Sequence, residues 1–154
     1  MPPRILNGYQ ELQSCVGQQV GTSDWFVVDQ QLIDSFADVT RDRQWIHVDA
    51  ARAQVESPYK ATVAHGFLTL SLLSHLQAQA VQVQGEFTRA INYGFNKVRF
   101  PAPVRVNSRI RLHTSLQSLE QVEGGVQAAW SVTVEIEGSS KPAVAAEWLS
   151  RFYR

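Results

Sequence analysis

The sequence predicts an α+β domain in which an antiparallel sheet curls around one long helix, and three observations lead there. The segment from Gly66 to about Val83 is apolar on nearly every side, as in a helix enclosed by other structure. Four β-rich runs follow it, separated by glycine-containing turns. Strand and helix signals also come before it, and no repeat or long linker interrupts the 154 residues. A single domain over residues 1–154 is the expected organisation.

Val20 to Val28 holds β-favouring residues and reads as a first strand. Asp29 then offers an N-cap to a helix carrying Leu32, Ile33, Phe36 and Ala37 on one face. Asp49 caps a second short helix through Ala50–Ala53, which Ser57-Pro58 ends. The Gly66 helix would be on the order of 25 Å long at about 1.5 Å per residue. Only a broad sheet could cover such a helix in so short a chain. The runs Phe87 to Phe100, Ser108 to Leu119, Val126 to Ile136 and Ala143 to Tyr153 supply that sheet, with turns at Gly124-Gly125 and Gly138-Ser139-Ser140. A curved sheet around a central helix is the hotdog architecture. Its open edge is commonly hidden by dimerisation, so a homodimer is expected.

Composition narrows the function. There are 14 Lys plus Arg against 14 Asp plus Glu, a formal net charge of +0. Neutrality argues against a general nucleic-acid binder. No run approaches the roughly 18 apolar residues of a membrane span. The lone Cys15 cannot form an internal disulfide, and no apolar signal core follows Met1-Pro2-Pro3-Arg4, so a cytoplasmic protein is the expectation. The charges are unevenly spread. From Ser57 to Leu119 the only acid is Glu86, whereas Lys60, Arg89, Lys97, Arg99, Arg105, Arg109 and Arg111 all lie there. Such a stretch serves either as a solvated strand face or as a surface for phosphate.

Two constellations could carry chemistry. In Thr40-Arg41-Asp42-Arg43-Gln44-Trp45-Ile46-His47-Val48-Asp49, Asp42 and His47 are five apart. An ideal helix would rotate them roughly 140° from each other, and only an irregular loop between short helices aims both at one point. There a carboxylate and an imidazole could hold a water and exchange protons near neutral pH. Read alone, the spacing favours a capping Asp and a locally satisfied His over a reactive pair. In the second constellation, Gly66 opens the apolar helix, so its N–H is a free donor at the positive end of the dipole, or it is a glycine needed for packing. His65 supports the turn before it, and Ser71 and Ser74 would return hydrogen bonds to their own helix.

Phe36-Ala37-Asp38-Val39-Thr40-Arg41-Asp42-Arg43-Gln44-Trp45-Ile46-His47-Val48-Asp49 resembles the hydratase signature of MaoC-like dehydratases and (R)-specific enoyl-CoA hydratases. In that signature an aromatic-Ala start leads to Thr/Ser-Gly-Asp-x-Asn-Pro-Leu/Ile-His-x-Asp, and this chain departs from it at Arg41, Gln44 and Trp45. The Gln-Trp-Ile-His version resembles the branch that includes nodulation protein N. So do Thr62-Val63-Ala64-His65-Gly66-Phe67-Leu68-Thr69 and Asn92-Tyr93-Gly94-Phe95-Asn96-Lys97-Val98-Arg99-Phe100-Pro101-Ala102-Pro103-Val104. The resemblance spans about residues 10 to 153.

It implies a homodimer of hotdog domains that hydrates trans-2-enoyl thioesters to (R)-3-hydroxyacyl thioesters, or runs in reverse. The partner would be acyl-CoA or an acyl-carrier-protein thioester, a substrate and not a cofactor, and no metal is implied. By the resemblance, Asp42 and His47 activate the water and Gly66 N–H holds the thioester oxygen. Ser74 would support the site, Gln44 would orient the loop, and Arg41 would bear on substrate preference, while His65 stays a candidate beside Gly66 for binding the substrate. Lys97, Arg99 and Arg105 become candidate contacts to CoA phosphates. Two other readings compete: a hotdog acyl-CoA thioesterase, and a non-catalytic acyl-thioester binding module. Such thioesterases place an acid on or beside the central helix, and Gly66 to Gln84 contains none.

Overall fold

The computed structural model describes residues Met1–Arg154. The chain runs β1 (Arg4–Asn7), α1 (Gly8–Ser14), β2 (Gln18–Thr22), β3 (Phe26–Val28), α2 (Gln30–Thr40), α3 (Trp45–Val48), α4 (Ala50–Glu56), α5 (Gly66–Ser71) and α6 (Leu73–Ala80). It continues through β4 (Val81–Gln84), β5 (Arg89–Arg99), β6 (Ser108–Val122), β7 (Gly125–Ile136) and β8 (Val144–Tyr153). The main sheet is antiparallel in the order β2-β6-β7-β8-β5, with β3 also paired to β6. Its inner face wraps α5 and α6, which is the expected α+β hotdog arrangement.

The four late strands lie within a few residues of their sequence expectation, and in β6 and β8 the apolar residues alternate with the burial. Burial in β8 switches at every position, as a sheet with one covered face requires. Ile110, Leu112 and Leu116 of β6 and Val132 and Val134 of β7 meet Leu12, Ile33, Leu73 and Leu76 from the helices in one core. Gly124, at φ 78, turns the β6–β7 hairpin, whereas Gly125 already pairs with Val122 inside the sheet.

Three expectations need correction. Val20 to Val28 is two strands, because Ser23 interrupts the run: its N–H donates to the Leu112 carbonyl and its Oγ accepts from Leu112 N–H at 2.8 Å. The central helix is shorter and broken. Ser71 Oγ donates to the Phe67 carbonyl at 2.7 Å, a bond of the kind that bends helices, and Leu72 (φ −76, ψ −10) forms the tightened turn between α5 and α6. Past Ala80 the alternation of Val81 and Val83 takes over, and β4 pairs in parallel with β1. The helix is also not enclosed all round. Phe67 is 68% exposed, and Ser71, Ser74, His75 and Ala78 face outward with it. β1 and α1 were not expected at all.

The segment before the central helices forms as its caps dictate. Asp29 Oδ1 accepts from Leu32 N–H at 2.9 Å and starts α2, while Asp49 Oδ1 accepts from Arg52 N–H at 3.0 Å and starts α4. Between them α2 ends at Arg41, which sits in the left-handed region at φ 67. This is the position where the hydratase signature carries glycine, and the conformation supplies the reason: a left-handed C-terminal residue costs a side chain about 1–2 kcal/mol and glycine nothing. Arg41→Gly should therefore raise stability by about 0.5–1 kcal/mol after the greater unfolded-state freedom of glycine is subtracted. A urea unfolding midpoint at or below wild type would contradict that account.

Candidate active site

The turn at Arg41 ends α2 and sends Asp42, Arg43 and Gln44 through an irregular loop, after which α3 carries His47 inward. One carboxylate oxygen of Asp42 and one ring nitrogen each of His47 and His65 fall within 4.8 Å of one another. They line a recess of about 480 Å³ whose walls are Phe36, Thr40, Gly66, Phe67 and Phe100. Asp42 is exposed and both histidines are buried.

The ring orientations are set by main-chain acceptors. His47 Nδ1 lies 2.6 Å from the Val63 carbonyl. Because a carbonyl only accepts, Nδ1 carries the proton, and Nε2 is left with a free lone pair. The backbone of His47 is held too: its carbonyl accepts from Gln30 Nε2 at 2.8 Å. His65 Nε2 donates to the main-chain carbonyl of Asp42 at 2.9 Å. The two rings stack with centroids 3.7 Å apart and planes 21° apart, and Phe36 packs at 5.0 Å from His65. Burial holds His47 below the ordinary histidine value, and His65 adds to this. The Val63 carbonyl and the Asp42 carboxylate pull the other way, and burial dominates. A near-parallel stack does not suit a cation, since in-plane lone pairs on stacked rings do not converge at the roughly 2.0–2.1 Å of a metal–nitrogen bond.

Gly66 is the first residue of α5, so its N–H has no intrahelical acceptor. It faces the same recess. A Cβ here would sit 3.2 Å from the Phe100 ring, so the glycine keeps the space between the helix start and Phe100 open.

Of the residues singled out from the sequence, Asp42, His47, His65 and Gly66 come together. Ser74 and Gln44 do not join them. Ser74 lies at the start of α6, where its Oγ accepts from Asn92 Nδ2 at 3.4 Å instead of bonding its own helix. It borders a separate cavity of about 430 Å³ walled by Trp130, Trp148, Ser150 and Phe152. Gln44 is exposed at the start of α3, with its N–H 3.4 Å from Asp42 Oδ1. Lys97, Arg99 and Arg105 are exposed, and Arg99 Nη1 donates to the Val98 carbonyl. The roles of Val63 and Gln30 were missed. A main-chain carbonyl has no residue signature, and nothing in the sequence ties Gln30 to a residue seventeen positions on.

A MaoC-like domain model matches residues 11–137. The chain belongs to the MaoC-like domain family. Among its relatives, 3-hydroxyacyl-thioester dehydratase Z of Mycobacterium tuberculosis is 50% identical over 150 residues, covering 97% of this chain and 98% of that one. Nodulation protein N of Rhizobium meliloti is 45% identical over 141 residues, covering 91% and 88%. The structure of an R-hydratase from Pseudomonas aeruginosa superposes with a TM-score of 0.68 at 24% identity, over 90% of this MaoC-like chain and 82% of that chain. At such identity the likeness concerns the fold. In this MaoC-like domain no helix is long and apolar enough to cross a membrane.

Proposed function

We propose that this chain is a hydro-lyase, an (R)-specific 2-enoyl-thioester hydratase that also works as a 3-hydroxyacyl-thioester dehydratase. The observation that carries the reading is His47, held with Nε2 unprotonated beside the Asp42 carboxylate in a recess that also presents the Gly66 N–H. The name of the 50%-identical relative supports the same class of reaction. In this reading Asp42 and His47 Nε2 hold one water. Its hydroxyl adds to C3 of the enoyl group, its proton passes to the pair, and a proton returns from the pair to C2. Gly66 N–H receives the thioester oxygen as enolate charge develops. Water is split across a double bond with no net oxidation, so the reaction needs no redox cofactor.

The acyl chain would run along α5 and α6 toward the cavity beside Ser74. The phosphates of CoA, or the prosthetic arm of a carrier protein, would meet Lys97, Arg99 and Arg105. β5 lies at the sheet edge with Ile91, Tyr93 and Phe95 exposed, and Phe67 is exposed on α5. A second copy pairing along β5 would cover them, which is the homodimer we propose. The thioesterase reading lacks an acid on α5 or α6.

A spectrophotometric hydration screen over trans-2-enoyl-CoAs of increasing length, with chiral analysis of the product, tests the proposal. Loss of enoyl absorbance with formation of the (R)-3-hydroxyacyl product is the expected result. Release of free CoA from a saturated acyl-CoA would instead identify a thioesterase. Tight CoA binding without turnover at any length would identify a binding module.

A further inference from the structure

We propose that His65 is a positioning residue that locks the reactive loop to the reactive histidine, a role that rests on the hydratase reading of the site. The loop carrying Asp42 has weak anchors of its own. Its two internal side-chain bonds, Asp42 N–H to Thr40 Oγ1 and Gln44 N–H to Asp42 Oδ1, are both 3.4 Å long. The 2.9 Å bond from His65 Nε2 to the Asp42 carbonyl is shorter than either, and it comes from a buried residue that precedes α5, outside the loop. The same ring covers one face of His47 at 3.7 Å, which fixes the plane in which His47 Nε2 points. The residue is also the N-cap of α5, so its backbone sets where the Gly66 N–H lies. One residue thereby joins the three groups that the reaction uses, two through its ring and the third through its backbone.

The ring's chemistry fits this role. A carbonyl acceptor at Nε2 requires the proton there, which leaves Nδ1 buried with no hydrogen-bond partner. Buried polar atoms are rarely left so, and an orphan is tolerated where the surroundings over-determine the side chain. Here the ring is held by the Asp42 carbonyl, by His47 on one side and by Phe36 beside it. Asp42 is the one carboxylate in the recess. Arg41 and Arg43 flank it on the same exposed loop, and Arg43 is paired with Asp38. From α2 the recess receives only Phe36 and Thr40, and from α5 and the chain beyond β5 only Gly66, Phe67 and Phe100.

Two variants separate the functions of the ring. His65→Phe keeps a stacking face and loses the bond to the loop, whereas His65→Gln keeps an N–H donor and loses the stack. For crotonyl-CoA hydration, His65→Phe should lower kcat by about 10–100-fold with KM within about threefold, because the loop no longer holds the water in reacting geometry. His65→Gln should recover part of that loss. In both, the proton NMR titration midpoint of the His47 ring should move up from wild type, because His65 contributes to holding it down. A role confined to folding would leave the kcat-against-KM split unmoved, while the His47 midpoint reports the contact between the two rings. Wild-type kcat and an unchanged midpoint in His65→Phe would overturn the proposal. If that variant is unfolded by circular dichroism, the same two outcomes in His65→Gln decide it. The titration does not depend on turnover, so failure of the wild type to hydrate any enoyl thioester would count against the hydratase reading, and the midpoint would still judge His65.

Discussion

Asp42→Asn and His47→Ala should each lower crotonyl-CoA hydration by about 10²–10⁴-fold, the usual worth of a positioned acid–base group. The two variants differ in what else they disturb. Asp42 is exposed and its carboxylate makes one long bond, to Gln44 N–H, so the Asn variant should unfold at nearly the wild-type urea midpoint. His47 is buried and donates to the Val63 carbonyl at 2.6 Å, so His47→Ala leaves that acceptor unpaired and costs about 1–3 kcal/mol of stability in addition. His47→Gln is the cleaner companion, since it can keep a donor toward Val63 while removing the free ring nitrogen. Undiminished turnover in either position would remove that residue from the mechanism. The pH profile gives a second check. Burial lowers the His47 pKa, so kcat/KM should persist below the ordinary histidine value of about 6.5 and fall only as pH drops through the depressed value. An acid limb lying above pH 7 would assign the base to another group.

Trp130→Ala should cost about 3–5 kcal/mol, a large part of the roughly 5–15 kcal/mol that holds a domain of this kind. Trp130 is 1% exposed on β7, pairs across the sheet with Trp148, and packs edge-on against Phe152. Its indole N–H donates to Ser150 Oγ at 2.7 Å. Truncation removes the apolar contact and the bond together, and it enlarges the cavity next to Ser74, which already holds about 430 Å³. Trp130→Phe should cost clearly less, because most of the ring area remains. A urea unfolding series reads both, and a loss below about 1 kcal/mol for the alanine variant would mean that the site collapses around the missing ring.

The sheet was legible in the sequence because β6, β7 and β8 alternate apolar and polar residues, and a period of two is the spacing of side chains along one face of a strand. The apolar stretch after Gly66 was harder. Its composition marks a central helix, yet a hydroxyl bond back to Phe67 and two alternating valines decide where that helix bends and stops. Short β1 and α1 have too few residues for any period to show. At the site, Asp42 and His47 were readable from the need for a sharp turn between them, which the irregular loop Asp42–Gln44 ahead of α3 supplies. Ser74 rested on the resemblance alone; it lies on α6, past the turn at Leu72, and is not among the residues that line the recess.

The pairing of β2 with β6 joins Thr22 to His113, so the first strand of the main sheet finds its neighbour only after most of the chain has passed. During synthesis the ribosome must release β6 before β2 and β3 have anywhere to pair. Until then Leu12 and Ile33 lack the strands that bury them. Closure over so long a loop is entropically slow, and local helices are fast to form and weak alone. The tethers of the segment bearing Asp42 and His47 are short-range by comparison: those to Val63 and His65 span 16 and 23 residues, so the reactive loop closes on its neighbours without waiting for the long-range pairing of the sheet.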